Sequence, residues 1–336
     1  MPGLASGAGP GRRKGHLRVL LLIFAASSAA GLSAWWWRQP LPAPPLHEAQ
    51  PPATVPAPSD HPPVSPASLA NPVPPSPPVV AAPREVPFLP SPPLLSEPEI
   101  LALHPSHPVL LRLRENPAIF VIVWPDLDTQ AAGMNRVAAL VEKDGLPRDR
   151  VASEAELNIA YARTNDSAAT WLLGHDYRLA DLERFFALAG RDGIALGSQE
   201  LWLRDQLAII RGLRSEGQPA ALITIAAPDP RQTDSMRAAV LHHELGHGHY
   251  FTVPDFAAHV QQTWQERLSE AERQAFRDFL GREGYNAADE ELMANETMAY
   301  LLFTPDPRFF TARHVGMTEA AVERLRSLFR TGSPRR

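Results

Sequence analysis

Beyond residue 95, apolar positions follow two periods, and the switches between them divide the chain into elements. Ala118 to Trp124 is a continuous apolar and largely β-branched run that stops at Pro125, which predicts a buried strand. Pro219 to Ala227 repeats that character ahead of Pro228 and Pro230 and predicts a second strand. Between the two, apolar residues three and four apart predict helices over 129–144, 153–163, 179–190 and 198–213. The first is stopped by Gly145 and Pro147. After residue 228 the pattern is purely helical, with helices expected over 234–251, 254–268, 269–281, 289–303 and 318–330. No internal repeat is visible. The pattern is α+β: a small sheet contributed early, then a helical C-terminal half.

The first 95 residues follow neither period. Val19 to Trp37 carries no charge over 19 residues and comes after Arg12, Arg13, Lys14 and Arg18. As a helix it would be ~28 Å long, enough to cross a bilayer core of about 30 Å. The basic flank keeps the N-terminus in the cytoplasm and exports the chain beyond the span, and Trp35, Trp36 and Trp37 suit the outer interface. Residues 1–38 are therefore expected to form a basic tip and a single-pass inner-membrane anchor. The competing reading is a signal peptide cleaved after Ser28-Ala29-Ala30. Residues 39–95 form a proline-rich linker: 21 of the 36 prolines fall between Arg38 and Leu95, where few apolar anchors could build a core. Residues 96–336 are left as one enzyme-sized domain on the periplasmic side.

Charge and cysteine content narrow the chemistry. Residues 1–95 carry six basic and three acidic side chains, and residues 96–336 carry 26 and 34. A globular part that acidic is not built for nucleic acid. No cysteine occurs, which excludes disulfides, thiol catalysis, cysteine-ligated metal and a lipidated cysteine.

One short segment carries the candidate chemistry. His243, Glu244 and His247 match H-E-x-x-H within a predicted helix, so two imidazoles four residues apart point the same way and can grip one metal ion. Glu244, one position on, is placed to take a proton from water there. Met236, Val240, His243 and His247 form an i, i+4, i+7, i+11 stripe, which predicts that the ligands continue the buried face of their helix. The third ligand has several candidates. A metzincin arrangement is excluded, because Tyr250 and Val253 stand where it needs Gly and His. Asp255, Asp278 and Asp289 are aspartate candidates without a recognisable motif. Glu296 lies on a later predicted helix, on one face with Leu292, Met293, Ala299, Tyr300 and Phe303. An ionised carboxylate on an apolar stripe needs a pairing charge, which a cation supplies. Glu290 and Glu291 read as first-turn acids that favour the helix dipole.

His243-Glu244-Leu245-Gly246-His247 with Asn295-Glu296 downstream resembles the gluzincin metallopeptidases, over roughly residues 219–303. The resemblance implies a zincin-like fold, Zn2+ held by His243, His247 and Glu296, Glu244 as general base, and a peptide or protein substrate. It also implies that the strand ahead of the motif helix, about 220–226, lines the cleft and pairs with extended substrate. The chain departs from the thermolysin-like pattern at Tyr300, where that motif places an Asp that orients a ligand histidine. Tyr300 either accepts the same imidazole N–H or is directed at the substrate. Tyr250, Tyr285, His249 and His314 are open candidates for a transition-state hydrogen-bond donor. An amide or ester hydrolase using the same metal site, one acting on cell-wall peptides for example, is an alternative expectation. So is a catalytically idle envelope-binding module of the same fold.

Three further features have bland readings. Asp126 and Asp128 suit a turn and helix N-cap. Gly174-His175-Asp176 suits a loop ahead of the 179–190 helix, rather than a second metal or substrate contact. Gly246 suits close helix packing, and Trp171, Trp202 and Trp264 suit the core.

Overall fold

The computed structural model describes residues 91–215 and 217–334. The expected span at 19–37 and nearly all of the proline-rich stretch lie outside those residues. Among the described residues no helix is long and apolar enough to cross a membrane.

In chain order the elements are β1 (Leu94–Leu95), α1 (Glu97–Leu101), β2 (Val109–Leu113), β3 (Ile119–Trp124), α2 (Leu127–Val141), α3 (Glu154–Thr164), β4 (Gly174–Arg178), α4 (Leu179–Arg191), α5 (Ser198–Leu213), β5 (Ala221–Ala226), α6 (Asp234–Thr252), α7 (Pro254–Gln262), α8 (Glu270–Arg282), α9 (Glu290–Leu302) and α10 (Glu319–Arg330). The strands form one mixed sheet in the order β1-β2-β3-β5-β4. β3 and β5 are parallel in full register, from Ile119 opposite Ala221 to Trp124 opposite Ala226. β2 and β4 run antiparallel to β3 and β5, respectively. The fold is thus α+β, with a small mixed sheet and a helical C-terminal half.

Apart from Thr224, the two central strands are apolar throughout because both of their faces are covered. Phe120, Ile122, Trp124 and Leu222 pack under α2, α4 and α5 with Met134, Leu182, Phe185 and Leu203. Val121, Val123, Ile223 and Ile225 face the other way and meet Leu241 and Leu245 of α6. The later helices close on a separate core around Trp264, Phe276, Phe279, Met298 and Phe329.

Local chemistry fixes the ends of the elements that matter for the site. Asp126 caps α2 by accepting from the Thr129 amide, as its position suggests, and Asp128 pairs with Arg231. Thr233 caps α6, and Asp289 caps α9 by accepting from the Leu292 amide. Two glycines let α6 sit close to its neighbours. A Cβ on Gly246 would lie 2.7 Å from the Phe303 ring beyond α9, and one on Gly248 3.0 Å from Ile119 of β3.

Several expectations need correction. Residues 174–176 are not a loop: β4 occupies them and leads directly into α4. The sheet also includes Leu94 and Leu95, which composition assigns to the linker, and β2, which pairs with the predicted strand β3, has no counterpart in the predicted elements, nor has α1. The helix expected over 254–268 is α7 followed by a π turn at Thr263–Arg267, within which Trp264 is fully buried.

A candidate metal centre at the meeting of α6, α9 and β4

α6 and α9 bring three ligand atoms together. The Nε2 atoms of His243 and His247 are 3.1 Å apart. Glu296 Oε2 lies 3.6 Å from the first and 3.7 Å from the second. The point equidistant from all three is roughly 2 Å from each, which is the bond length of imidazole and carboxylate to a small divalent cation. Glu296 is 1% exposed and its Oε2 has no hydrogen-bond partner among the described residues. A buried carboxylate oxygen left without a donor is costly, and a cation at that point removes the cost. These buried His and Glu groups are therefore close enough to hold a metal ion.

The tautomer of His243 is set by its partner. Thr304 Oγ1 is 2.7 Å from His243 Nδ1 and donates its own proton to the Ala299 carbonyl at 3.0 Å. With that proton committed, the hydroxyl accepts from Nδ1–H, and Nε2 carries the lone pair toward the site. Thr304 thus takes the imidazole N–H that sequence offered to Tyr300. The Tyr300 ring instead packs edge-on against His243, 4.9 Å between centroids, and lines the cavity in front of it. His247 Nδ1 faces Asp176 of β4, 3.8 Å away. Burial holds the His243 pKa down at about 3 and that of His247 at about 4, so both rings are neutral and free to ligate.

Glu244 stands beside this triangle and opens on a cavity of 540 Å³ that is also lined by His243, Tyr300 and Tyr285. Its Oε2 has no partner among the described residues. Gly174 makes the room: a Cβ there would lie 2.6 Å from Glu244 Cγ. Burial, then the charges of Glu296 and Glu142, push the Glu244 carboxyl well above the usual range. Burial and the Glu244 charge do the same to Asp176. Glu142, at the end of α2, completes a group of four carboxyls and accepts from the Tyr177 hydroxyl at 3.0 Å. Ligand-capable atoms of Glu142, Asp176 and Glu296 lie within 4.8 Å of one another.

The remaining candidates fall elsewhere. Asp255 and Asp278 are exposed, and Asp289 is spent on its cap. Glu290 accepts from Trp264 Nε1 at 2.8 Å and pairs with Arg277, while Glu291 pairs with Arg178. Of the four donor candidates, Tyr285 lines the cavity. Tyr250 is held by Gln261 at 2.6 Å, His249 lies 3.3 Å from Asn116, and His314 is bonded to Thr311.

Three expectations about how the site is framed do not hold. α9 is buried on every side from Met293 to Ala299, so a single apolar face is not what singles out Glu296. On α6 the sheet-facing residues are Leu241 and Leu245, whereas Met236 and Val240 are only half-buried. The expectation that the strand at 220–226 pairs with substrate also fails, because this strand is β5, with β3 paired along one of its edges and β4 along the other. The sheet edge on the β5 side is β4.

Glu142, Lys143 and Thr304 are beyond the reach of the sequence pattern. Thr304 lies eight residues past Glu296, outside any spacing the motif prescribes, and Glu142 and Lys143 read only as the polar end of a helix. Comparison with family models, with curated proteins and with solved structures finds no match to this chain.

Proposed function

We propose that this chain is a zinc hydrolase of gluzincin type with a zincin-like fold, acting on peptide bonds. The observation that carries the reading is the triangle of His243 Nε2, His247 Nε2 and Glu296 Oε2, with the His243 tautomer set by Thr304 and an unpartnered Glu244 oxygen alongside. Two neutral imidazoles and one carboxylate form the donor set of three-ligand catalytic zinc sites, which leave a fourth position open. Zinc held there would polarise a carbonyl and acidify water.

The side chains of this chain supply the rest. Glu244 takes the proton from the attacking water and returns it to the leaving amine. Tyr300 and Tyr285 line the cavity and offer phenol donors to the carbonyl oxygen as charge develops on it. β4, at the sheet edge, offers backbone groups to an extended peptide beside Glu244. The N-terminal basic and apolar run supports an exported domain tethered to the inner membrane by its linker.

The test is metal content together with turnover. The parent protein should carry one equivalent of zinc. Glu296→Ala should lose most of it, and with it hydrolysis of a peptide pool. Glu290→Ala should keep its zinc. Glu244→Gln should keep zinc yet lose about 10²–10⁴-fold in rate, the usual cost of removing a general base. Stoichiometric zinc in Glu296→Ala would overturn the ligand assignment, and undiminished turnover in Glu244→Gln would overturn the mechanism.

A further inference from the structure

Lys143 has no place in that mechanism, and its surroundings are unusual for an ammonium. The residue is 5% exposed. Its Nζ sits 4.2 Å from the centroid of the Tyr285 ring and 5.8 Å from that of Trp171. Among the described residues the ammonium makes neither a hydrogen bond nor an ion pair. The backbone holds the residue in place: Lys143 and Tyr285 form an antiparallel bridge, flanked by bonds from the Asp144 amide to the Gly284 carbonyl and from the Asn286 amide to the Glu142 carbonyl, both 3.1 Å. Ring faces attract a cation but accept none of its three N–H bonds in the way an oxygen does. The stem is buried but Nζ is open to the cavity and has no acceptor among the described residues, so an acceptor that enters with a ligand can complete its bonding. Lys143 lines the same cavity as His243, Glu244 and Tyr300.

The carboxyls nearby do not serve as that acceptor. Glu142 already takes the Tyr177 hydroxyl, Glu296 points at the two imidazoles, and no carboxylate oxygen comes within 4.0 Å of the ammonium among the described residues. The other cationic residues lining the cavity, Arg163 and Arg282, are exposed. Lys143 is therefore the buried positive group of a cavity whose other buried ionisable residues are acids or neutral imidazoles.

We infer that Lys143 binds a carboxylate of the substrate, so that the cavity selects peptides presenting a carboxylate next to the bond that is cut. The inference rests on the zinc-hydrolase reading and gives it a substrate class. The carboxylate has two sources, a free C-terminus or an acidic side chain, and the ammonium reads the same chemistry in both.

The experiment uses zinc-loaded parent protein and Lys143→Met, whose aliphatic stem stays between the two rings. Binding of 2-benzylsuccinate and of its monoamide, the carboxylate distal to the zinc-binding one being amidated, is measured by calorimetry. Zinc content of each sample is read separately, so failure of the metal reading shows there and not in the binding difference. The dicarboxylate should bind the parent tighter by about tenfold or more, the size of one charge-assisted hydrogen bond in a buried site. That advantage should vanish in Lys143→Met at unchanged zinc. Equal binding of the two compounds to the parent, no binding of either, or an advantage that persists in Lys143→Met overturns the assignment. Cleavage of matched peptides ending in acid or amide, with and without an internal Asp, then identifies the source. A parent that cuts carboxylate-free peptides as fast as the rest also overturns it.

Discussion

His243 is oriented by a relay of two groups that lies outside the motif. The Ala299 carbonyl takes the Thr304 proton, and the Thr304 oxygen takes the His243 Nδ1 proton. Thr304→Val keeps the shape and removes both bonds, which leaves a buried N–H unpaired and frees the ring to adopt the wrong tautomer. Metal affinity should fall about 10–100-fold, the usual cost of losing a group that orients a ligand histidine. Competition against a zinc chelator measures it, and Thr304→Ser should restore the affinity of the parent. An affinity unchanged in Thr304→Val would leave the relay without a role. Sequence can name His243, Glu244, His247 and Glu296 because their chemistry is tied to helical spacing. It cannot name Thr304, which lies just past the C-terminus of α9, where only the path of the chain decides what it meets.

At the scale of elements, β4 is the least legible in the sequence and matters most to the site. Gly-His-Asp-Tyr-Arg has the composition of a turn, and a strand that lines a cavity lacks the apolar alternation of a core strand. Its two faces do alternate in function. His175 and Tyr177 point to the core side, where His175 Nδ1 meets Thr224 at 3.0 Å, while Gly174 and Asp176 face Glu244 and His247. β3 and β5 are legible because burial on both faces makes them apolar at every position but Thr224, and the helices because their stripes and caps are local. The glycine of β4 carries a prediction. A methyl group on Gly174 would overlap the Glu244 side chain, so Gly174→Ala should push the base out of line while His243, His247 and Glu296 still hold metal. The expected result is a loss of turnover approaching that of Glu244→Gln at full zinc content. Loss of zinc in Gly174→Ala would show instead that β4 supports the ligands.

The whole molecule balances charge around one buried point. Glu142, Asp176, Glu244 and Glu296 are all raised above the usual carboxyl range, chiefly by desolvation, and the Lys143 charge offsets part of the rise in Glu142, Glu244 and Glu296. In the metal-free chain these four carboxyls therefore hold more protons in the folded state than in the unfolded one above about pH 4, and their contribution to stability is lost as pH rises through the folded pKa values. The buried histidines act in the opposite direction. His175 and His243 are held at about 3 and His247 at about 4, so their contribution is lost as pH falls below the unfolded imidazole value near ~6.5. From about one pH unit above that value the histidines are neutral in both states and add little slope, so the buried carboxyls set the trend. Chelated protein should melt at progressively lower temperature between about pH 7.5 and 9, a range that clears the histidine window. Metal-loaded protein should not, because a bound dication stabilises the ionised ligands and its affinity grows as protons leave them. Thermal melts across that range with and without chelator measure the difference. A chelated chain whose melting temperature stays level or rises with pH would mean that the four carboxyls ionise without cost, and the case for a cation among them would lose its electrostatic basis.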